Sequence, residues 1–416
     1  MSGQEVSRVT RRTLLKGAAA GGAVVLSGVA GAPWAQGASV SDRRVYVLVI
    51  DGCRPDEITP ESTPNLHRLR TAGRWFPNAR AMPIAETLPN HVMMMTGVRP
   101  DRGGVPANSV YDRATGAVRE VGESTDITFP TILERLRERK LTTGTVLSKD
   151  YLFSVFGTRA TYRWEPFPLL PVTDHALDQF TMSALRAMIM RADPHMVFAN
   201  FGDIDRFGHS DLTGPNVQVL RRTALASTDA HIGQFVTWLS TRPRWSSTTV
   251  MVLADHSMDW SQPDRFISLT KAFAGNPVLS GAFAIADNGG ADVLTYIGPA
   301  ARRDAAIAEA RRVAAGVPGV LSTRTTAELR LGAKAGDLVV FCKSGYRFSD
   351  PQVFSNPIPG NHGHPATEAI PFFLTGGAVR PAVLSDRAAT LDVAPSVGAI
   401  FGLPAPRGGY DGVSRV

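Results

Sequence analysis

The sequence predicts an α/β fold on a mainly parallel sheet flanked by helices, and three observations lead there. First, residues 45–50, 142–147, 196–201 and 248–254 are continuous runs dominated by apolar and β-branched side chains. Runs without polar alternation suit strands buried on both faces, as in parallel sheets. Second, helical patterns alternate with these strands, at 63–72, 131–140, 178–191 and 217–240. That alternation predicts helices on both faces of one sheet. Third, each run ends in polar residues: Asp51-Gly52, Ser148-Lys149-Asp150, Gly202-Asp203-Ile204-Asp205 and Asp255-His256. In open α/β sheets, ligands bind beyond the carboxyl ends of the strands.

The first 38 residues read as an address. Arg8-Val9-Thr10-Arg11-Arg12-Thr13-Leu14-Leu15-Lys16 precedes an Ala/Gly-rich apolar stretch that runs to about Pro33. Small residues at Ala35, Gly37 and Ala38 offer cleavage sites. The twin arginine resembles a Tat export signal, which implies the Tat machinery as a partner and a periplasmic, cell-wall or extracellular destination. The stretch is short and weakly apolar for a bilayer span, and no later window is apolar for long enough.

Residues 39–416 are expected to form the catalytic domain. Within it, 262–345 changes character: short strand-like pieces at 282–286, 293–297 and 337–342 surround an Ala/Arg-rich helix at 302–315. This reads as an inserted α+β cap, after which residues 370–374 return to the main sheet. At 44% hydrophobic and 19% charged, the composition is globular and excludes a disordered tail, a collagen-like fibre and a coiled coil. Of the net charge of +7, the first 38 residues supply +3. The rest holds no dense Lys/Arg run, so no nucleic-acid-binding surface is evident. Two cysteines, Cys53 and Cys342, allow at most one bridge.

The chemistry lies in acids and histidines near strand ends. Asp51 ends the first run, Asp205 and His209 stand four apart, Asp255 and His256 are adjacent, and His362 lies in Gly-Asn-His-Gly-His-Pro. Three carboxylates and three imidazoles make two tridentate sets. Mixed O/N ligands without thiolates suit two divalent ions, Zn²⁺ first, with Mn²⁺ or Fe as alternatives. Two such ions about 4 Å apart clamp a phosphoryl group. His364 competes with His362, and Asp203 with Asp205, where the four-residue spacing to His209 selects Asp205. Thr87 is the candidate nucleophile, at a helix N-terminus that favours anions; by itself, a threonine there is most often only a cap. Asn108 is the candidate donor to a developing phosphoryl oxygen.

The ordered set Ile50-Asp51-Gly52, Thr63-Pro64-Asn65-Leu66, Thr87-Leu88-Pro89-Asn90-His91, Thr96-Gly97, Asp205-Arg206-Phe207-Gly208-His209, Asp255-His256-Ser257-Met258 and His362-Gly363 resembles type I phosphodiesterases/nucleotide pyrophosphatases of the alkaline phosphatase superfamily. The resemblance implies an alkaline-phosphatase-like sheet and a two-zinc site. One metal would take Asp51, Thr87, Asp255 and His256, the other Asp205, His209 and His362, and Asn108 would bind the oxyanion. Ser257 stands where the family usually has glycine. Cys53-Arg54-Pro55-Asp56-Glu57 departs from the sulfatase motif of the same superfamily, because Glu57 replaces the required arginine.

The expected activity is exported, two-metal hydrolysis of phosphodiester or pyrophosphate bonds, nucleotides included, through a covalent intermediate on Thr87. One alternative is a phosphonate hydrolase acting on phosphonoacetate-like substrates. Ser148-Lys149-Asp150-Tyr151-Leu152 resembles phosphonoacetate hydrolases, in which Lys149 would bind a substrate carboxylate, although Tyr151 stands where a second lysine is expected. A phosphomonoesterase would need an arginine on the phosphate that the sequence does not place. A non-catalytic secreted binding protein on the same fold would be signalled by a lost ligand or a lost Thr87, and none is lost. Tyr111, Tyr151, Phe153, Phe156 and Trp164 are candidates to stack on a base or to pack.

Overall fold

The computed structural model describes residues 39–171, 173–214, 216–350 and 359–416. The export signal read at 1–38 lies outside the described residues. An eight-stranded sheet runs, edge to edge, through Ala382–Val383, Arg74–Trp75, Phe372–Thr375, Thr248–Leu253, Arg44–Ile50, Met196–Phe201, Thr143–Leu147 and Tyr162–Trp164. Every strand is parallel to its neighbours except Phe372–Thr375, which is antiparallel to both of its own.

The four central parallel strands are those the apolar runs predict, and all their residues are buried. Full burial of one Val, Leu, Ile or Phe side chain stabilises by about 1.5–3 kcal/mol, so apolar and β-branched residues dominate there, with Thr143, Thr145 and Asn200 among the buried exceptions. The two-residue strand Arg74–Trp75 and the edge strand Tyr162–Trp164 leave no comparable run in the sequence. The helices Pro64–Thr71, Ile132–Glu138, Asp178–Ala192 and Val219–Ser240 fall where the periodicity places them, within a few residues at each end. Among the described residues, no helix is long and apolar enough to cross a membrane.

Register brings the chemistry to one level. Ile50 pairs with Phe201, Val49 with Leu253 and Leu147 with Asn200, so Asp51, Lys149 and Asp255 leave the sheet together. The helix Asp203–Ser210 starts at the same edge and carries Asp205 and His209 one turn apart.

Residues 283–342 form a second sheet, antiparallel throughout, in the order Phe283–Asn288, Ala291–Tyr296, Leu338–Cys342, Val320–Thr325. The helix Arg303–Ala315 buries Ala310 and Ala314 in that sheet's own apolar cluster. Val320–Thr325 is a half-exposed edge strand rich in Ser, Thr and Arg, which hides it from a hydrophobicity pattern. The hairpin between the first two strands reaches the main domain: Asn288 Oδ1 accepts from Ser109 N at 2.8 Å, and Asn288 Nδ2 donates to Ser109 O at 3.1 Å. The cap thus pins the loop that bears Asn108. Cys53 and Cys342 are both free and buried.

Candidate active site

Three aspartates converge where the strands end. Asp51, Asp205 and Asp255 are at most 1% exposed. One oxygen of each, Asp51 Oδ1, Asp205 Oδ1 and Asp255 Oδ2, is buried without a hydrogen-bond partner. Buried carboxylate oxygens are costly unless paired or bound to a cation. Around Asp51 and Asp255, His256 Nε2 lies 3.7 Å from Asp51 Oδ1, 3.4 Å from Asp255 Oδ2 and 3.2 Å from Thr87 Oγ1. Around Asp205, Oδ1 lies 3.3 Å from His209 Nε2 and 3.9 Å from His362 Nε2. Ligands held about 2.0–2.1 Å from a tetrahedral ion sit about 3.3 Å from one another. The distances around Asp51, Asp255 and Thr87 fit a divalent ion on that measure, while at Asp205 the ligand atoms close enough to hold an ion together are those of Asp205, His256 and His362, with His209 beside them.

The imidazoles are oriented for this. His256 Nδ1 bonds Ser257 O at 2.9 Å, and His209 Nδ1 bonds Gly360 O at 2.9 Å. With the proton on Nδ1 in each, a lone pair on Nε2 faces the carboxylates. Ser257, the departure from the family pattern, supplies that carbonyl without a left-handed backbone. His362 stacks on His256 with ring centroids 3.8 Å apart. Burial and the neighbouring His256 and His209 push its protonation well below the usual histidine range. Two glycines permit the close approaches. A Cβ on Gly52, at φ +70°, would lie 3.0 Å from Asp205 Cβ, and one on Gly290 would lie 2.3 Å from His362 O.

Competitors for the ligand positions are engaged elsewhere. Asp203 Oδ1 bonds His175 Nε2 at 2.9 Å, and His364 Nε2 lies 3.1 Å from Asp259 Oδ2. His91 stands with Asp51 and Asp255 in a group close enough to hold an ion. Both of its nitrogens are nonetheless occupied: Nδ1 donates to Thr87 O at 2.8 Å, and Nε2 accepts from Asn200 Nδ2 at 3.0 Å. Burial lowers its protonation to about 4, so it is neutral and links the Thr87 backbone to Asn200. Asn200 Nδ2 also donates to Asp51 Oδ2 at 2.7 Å.

Lys149 differs from its expected substrate-facing role. It is fully buried, and Nζ lies 2.8 Å from Asp51 Oδ2, 2.7 Å from Asp205 Oδ2 and 3.4 Å from Thr87 Oγ1. The ammonium joins the second oxygens of the two carboxylates and turns their first oxygens toward the histidines. Burial alone would raise Asp205's pKa, but Lys149 and His209 outweigh it and hold the group well below the usual carboxylate range. Asp51 goes the other way: burial and Asp255 push it up to about 7 against the pull of Lys149.

Thr87 is the first residue of the helix Thr87–Thr96. Asn108 Oδ1 accepts from Leu88 N at 3.0 Å, which leaves its Nδ2 protons directed to other acceptors. Asn108 N in turn donates to Glu86 Oε2 at 2.8 Å. The sequence reading missed Glu86. It is 2% exposed, and burial raises its carboxyl to about 8 although Asn108 N–H pulls the other way. Its only sequence signal is a glutamate at a helix N-cap, where Ser, Thr, Asp or Asn is usual.

These groups floor a cavity of about 370 Å³ lined by Thr87, Asn108, Asp205, His209 and His362, with Tyr151 and Arg206 on its wall and Asn288 and Asn361 toward the cap. Of the candidate stacking aromatics, Tyr151 is the one on this wall. Phe156 packs edge-on against Phe198 in the core, and Phe153 lies under Arg163. Glu57, in place of the sulfatase arginine, pairs with Arg221 at 2.7 Å.

The family model for type I phosphodiesterase/nucleotide pyrophosphatase matches residues 45–363. Bis(5'-adenosyl)-triphosphatase ENPP4 of Bos taurus is 22% identical over 238 residues, 56% of this chain and 51% of the relative. The Xenopus laevis protein is 24% identical over 235 residues, 55% of this chain and 50% of the relative. The chain thus spans about half the length of the curated relatives it matches. Among solved structures, an inactive form of murine ectonucleotide pyrophosphatase/phosphodiesterase 5 in complex with AMP superposes with a TM-score of 0.71 at 17% identity, covering 88% of this chain and 96% of the other. Phosphonoacetate hydrolase from Sinorhizobium meliloti, in complex with phosphonoformate, gives 0.70 at 16% identity, covering 86% and 95%. At these identities the likeness concerns the fold, which is alkaline-phosphatase-like.

Proposed function

Because the chain belongs to the type I phosphodiesterase/nucleotide pyrophosphatase family, we propose that it is an exported, metal-dependent hydrolase of phosphodiester or pyrophosphate bonds with Thr87 as nucleophile. The observation that carries this reading is the convergence of three orphaned carboxylate oxygens on three imidazoles beside one buried threonine hydroxyl. Asp51, Asp255, His256 and Thr87 would hold one ion and Asp205, His209 and His362 the other, with Zn²⁺ as the proposed metal. When bound, such ions lower the pKa of a coordinated hydroxyl and neutralise phosphoryl charge.

The chain's own residues do the rest. Thr87 Oγ1 attacks phosphorus in line, the leaving oxygen departs opposite, and a phosphoryl- or nucleotidyl-threonine remains for water to cleave. Asn108 offers Nδ2 protons to the equatorial oxygen that gains charge, while Leu88 N–H fixes its amide. Lys149 and Asn200 hold the carboxylates in place. The Ala/Gly-rich leader after the twin arginine supports export through the Tat pathway. Lys149, which suggested the phosphonate, is enclosed by Asp51 and Asp205 and so gives that substrate no support of its own.

The test is hydrolysis of bis-p-nitrophenyl phosphate by wild type and Thr87→Ala, with metal analysis of both. Loss of at least a thousandfold in kcat with metal and fold retained is expected. A variant keeping most of the wild-type rate would falsify the nucleophile assignment.

A further inference from the structure

Arg206 takes no part in the mechanism above, yet it lines the same cavity. It follows Asp205 on the helix Asp203–Ser210, so its side chain leaves about 100° around the axis from Asp205, along the adjoining wall. The guanidinium carbon sits 5.6 Å from the centroid of the Tyr151 ring. Its Nε is buried without a hydrogen-bond partner, and among the described residues the guanidinium forms no ion pair. Tyr151 lines the cavity beside it and makes no side-chain hydrogen bond among the described residues.

The contrast with Arg221 is direct. That fully buried arginine pairs with Glu57 through two hydrogen bonds, at 2.8 and 2.7 Å, and donates to Ile204 O and Gly52 O at 2.9 Å. Arg221 is a satisfied structural cation, whereas Arg206 presents to a concave wall a guanidinium with no ion pair among the described residues, Asp205, Asp51 and Asp174 acting on it only from further away. Two acids on that wall, Asp174 and Glu120, are exposed. A guanidinium is weakly hydrated, permanently charged and shaped to grip a phosphate or carboxylate through two parallel bonds.

The scissile phosphoryl group of a diester carries one negative charge, which Asn108 and ions held by the proposed ligands would meet. From Arg206 and the Tyr151 hydroxyl we infer an oxyanion subsite for a second anionic group, bonded to the scissile phosphorus through a short bridge. This rests on the hydrolase reading and narrows its substrates. They would carry a second phosphoryl group, as in pyrophosphate-linked nucleotides, or a carboxylate, as in short carboxylated phosphonates, in preference to simple diesters.

The experiment compares metal-loaded wild type, Arg206→Gln, Arg206→Lys and Tyr151→Phe on a dinucleoside triphosphate, on phosphonoacetate and on bis-p-nitrophenyl phosphate, which has no second anion. Arg206→Gln should lower kcat/KM on one of the first two, relative to the third, by at least tenfold and chiefly through KM. Arg206→Lys should lose less. A relative loss confined to the triphosphate assigns the subsite to phosphoryl, and one confined to phosphonoacetate assigns it to carboxylate. Unchanged ratios on both overturn the inference. Calorimetric titration of ADP into Thr87→Ala protein reads the subsite without turnover, and at least tenfold weaker binding is expected when Arg206→Gln is added. Should that variant fail to fold, Arg206→Lys and Tyr151→Phe must show a weaker, measurable loss of ADP affinity, and wild-type affinity in both overturns it. A wild type idle on all three substrates, with ADP affinity still dependent on Arg206, sinks the hydrolase reading and leaves the subsite standing.

Discussion

Replacing Glu86 with glutamine tests whether a neutral carboxylic acid stands next to Thr87, the proposed nucleophile. The Glu86 carboxyl is enclosed, with Asn108 N–H on Oε2 as its one hydrogen bond among the described residues and Asp287 as a further charge opposing ionisation. Burial lifts it from an ordinary 4.5 to about 8. Because the folded-state pKa lies above the unfolded one, folding takes up a proton between those values. The stabilisation is therefore complete below about pH 4.5 and is lost as pH rises through about 8. At about 1.4 kcal/mol per tenfold change in proton affinity, wild type should lose roughly 4 kcal/mol relative to Glu86→Gln between pH 5 and 9. Glutamine keeps an acceptor for Asn108 N–H and has nothing to ionise. The assay is urea unfolding of both proteins, metal-loaded, at unit steps of pH across that range, so that slopes from other groups cancel in the difference. Above pH 8 the ionised glutamate would also repel an anionic substrate at the same cavity wall, so kcat/KM should fall in wild type and persist in the variant. Parallel stability curves from pH 5 to 9 would refute the argument.

Lys149→Met strips the buried counter-charge from Asp51 and Asp205. The metal-free protein should lose about 3–5 kcal/mol and the metal-loaded protein less, read by thermal melts with and without a chelator, and equal losses contradict the role. Asn108→Ala should lower kcat on bis-p-nitrophenyl phosphate by about 10²–10³ with KM little changed, whereas a KM effect alone would make it a binding residue only. Gly52→Ala forces a Cβ to within 3.0 Å of Asp205 Cβ at a left-handed φ, so calorimetry should find weaker metal binding than in wild type, and unaltered affinity speaks against that tight fit. A strong chelator should abolish turnover and lower the melting temperature, with Zn²⁺ restoring both; indifference would exclude a metal role.

How far the sequence is legible depends on whether a residue's role is set locally. The central strands are legible because burial on both faces leaves mostly apolar and β-branched residues along a whole run, a pattern any six-residue window displays. Val320–Thr325 and Tyr162–Trp164 are edge strands with mixed composition and show no such constraint. The ligand candidates stand out for a similar reason: metal binding admits few residue types, and a parallel sheet delivers them at strand ends. Asp205 and His209 even announce a shared helix face through their spacing.

The remaining parts of the site are set by what meets them from elsewhere in the chain. Lys149 follows a strand end like the acids do, and only the register of Thr143–Leu147 against Met196–Phe201, and of that strand against Arg44–Ile50, reveals that it fills the gap between Asp51 and Asp205. Asn200 and His91 are 109 positions apart, yet form one chain from Asp51 to the Thr87 carbonyl. Glu86 owes its proton to enclosure, which no neighbouring residue in sequence encodes. The same holds for Arg206: its position beside a metal-ligand candidate suggests a solvated helix face, and only the cavity wall and the lack of an ion pair among the described residues point to the binding role inferred above. Residue type at strand ends therefore marks the candidate reaction centre, and the proposed selectivity of that centre rests on groups whose meaning is tertiary. A relative could keep all seven ligand candidates and differ in substrate through positions 149, 151 and 206 alone.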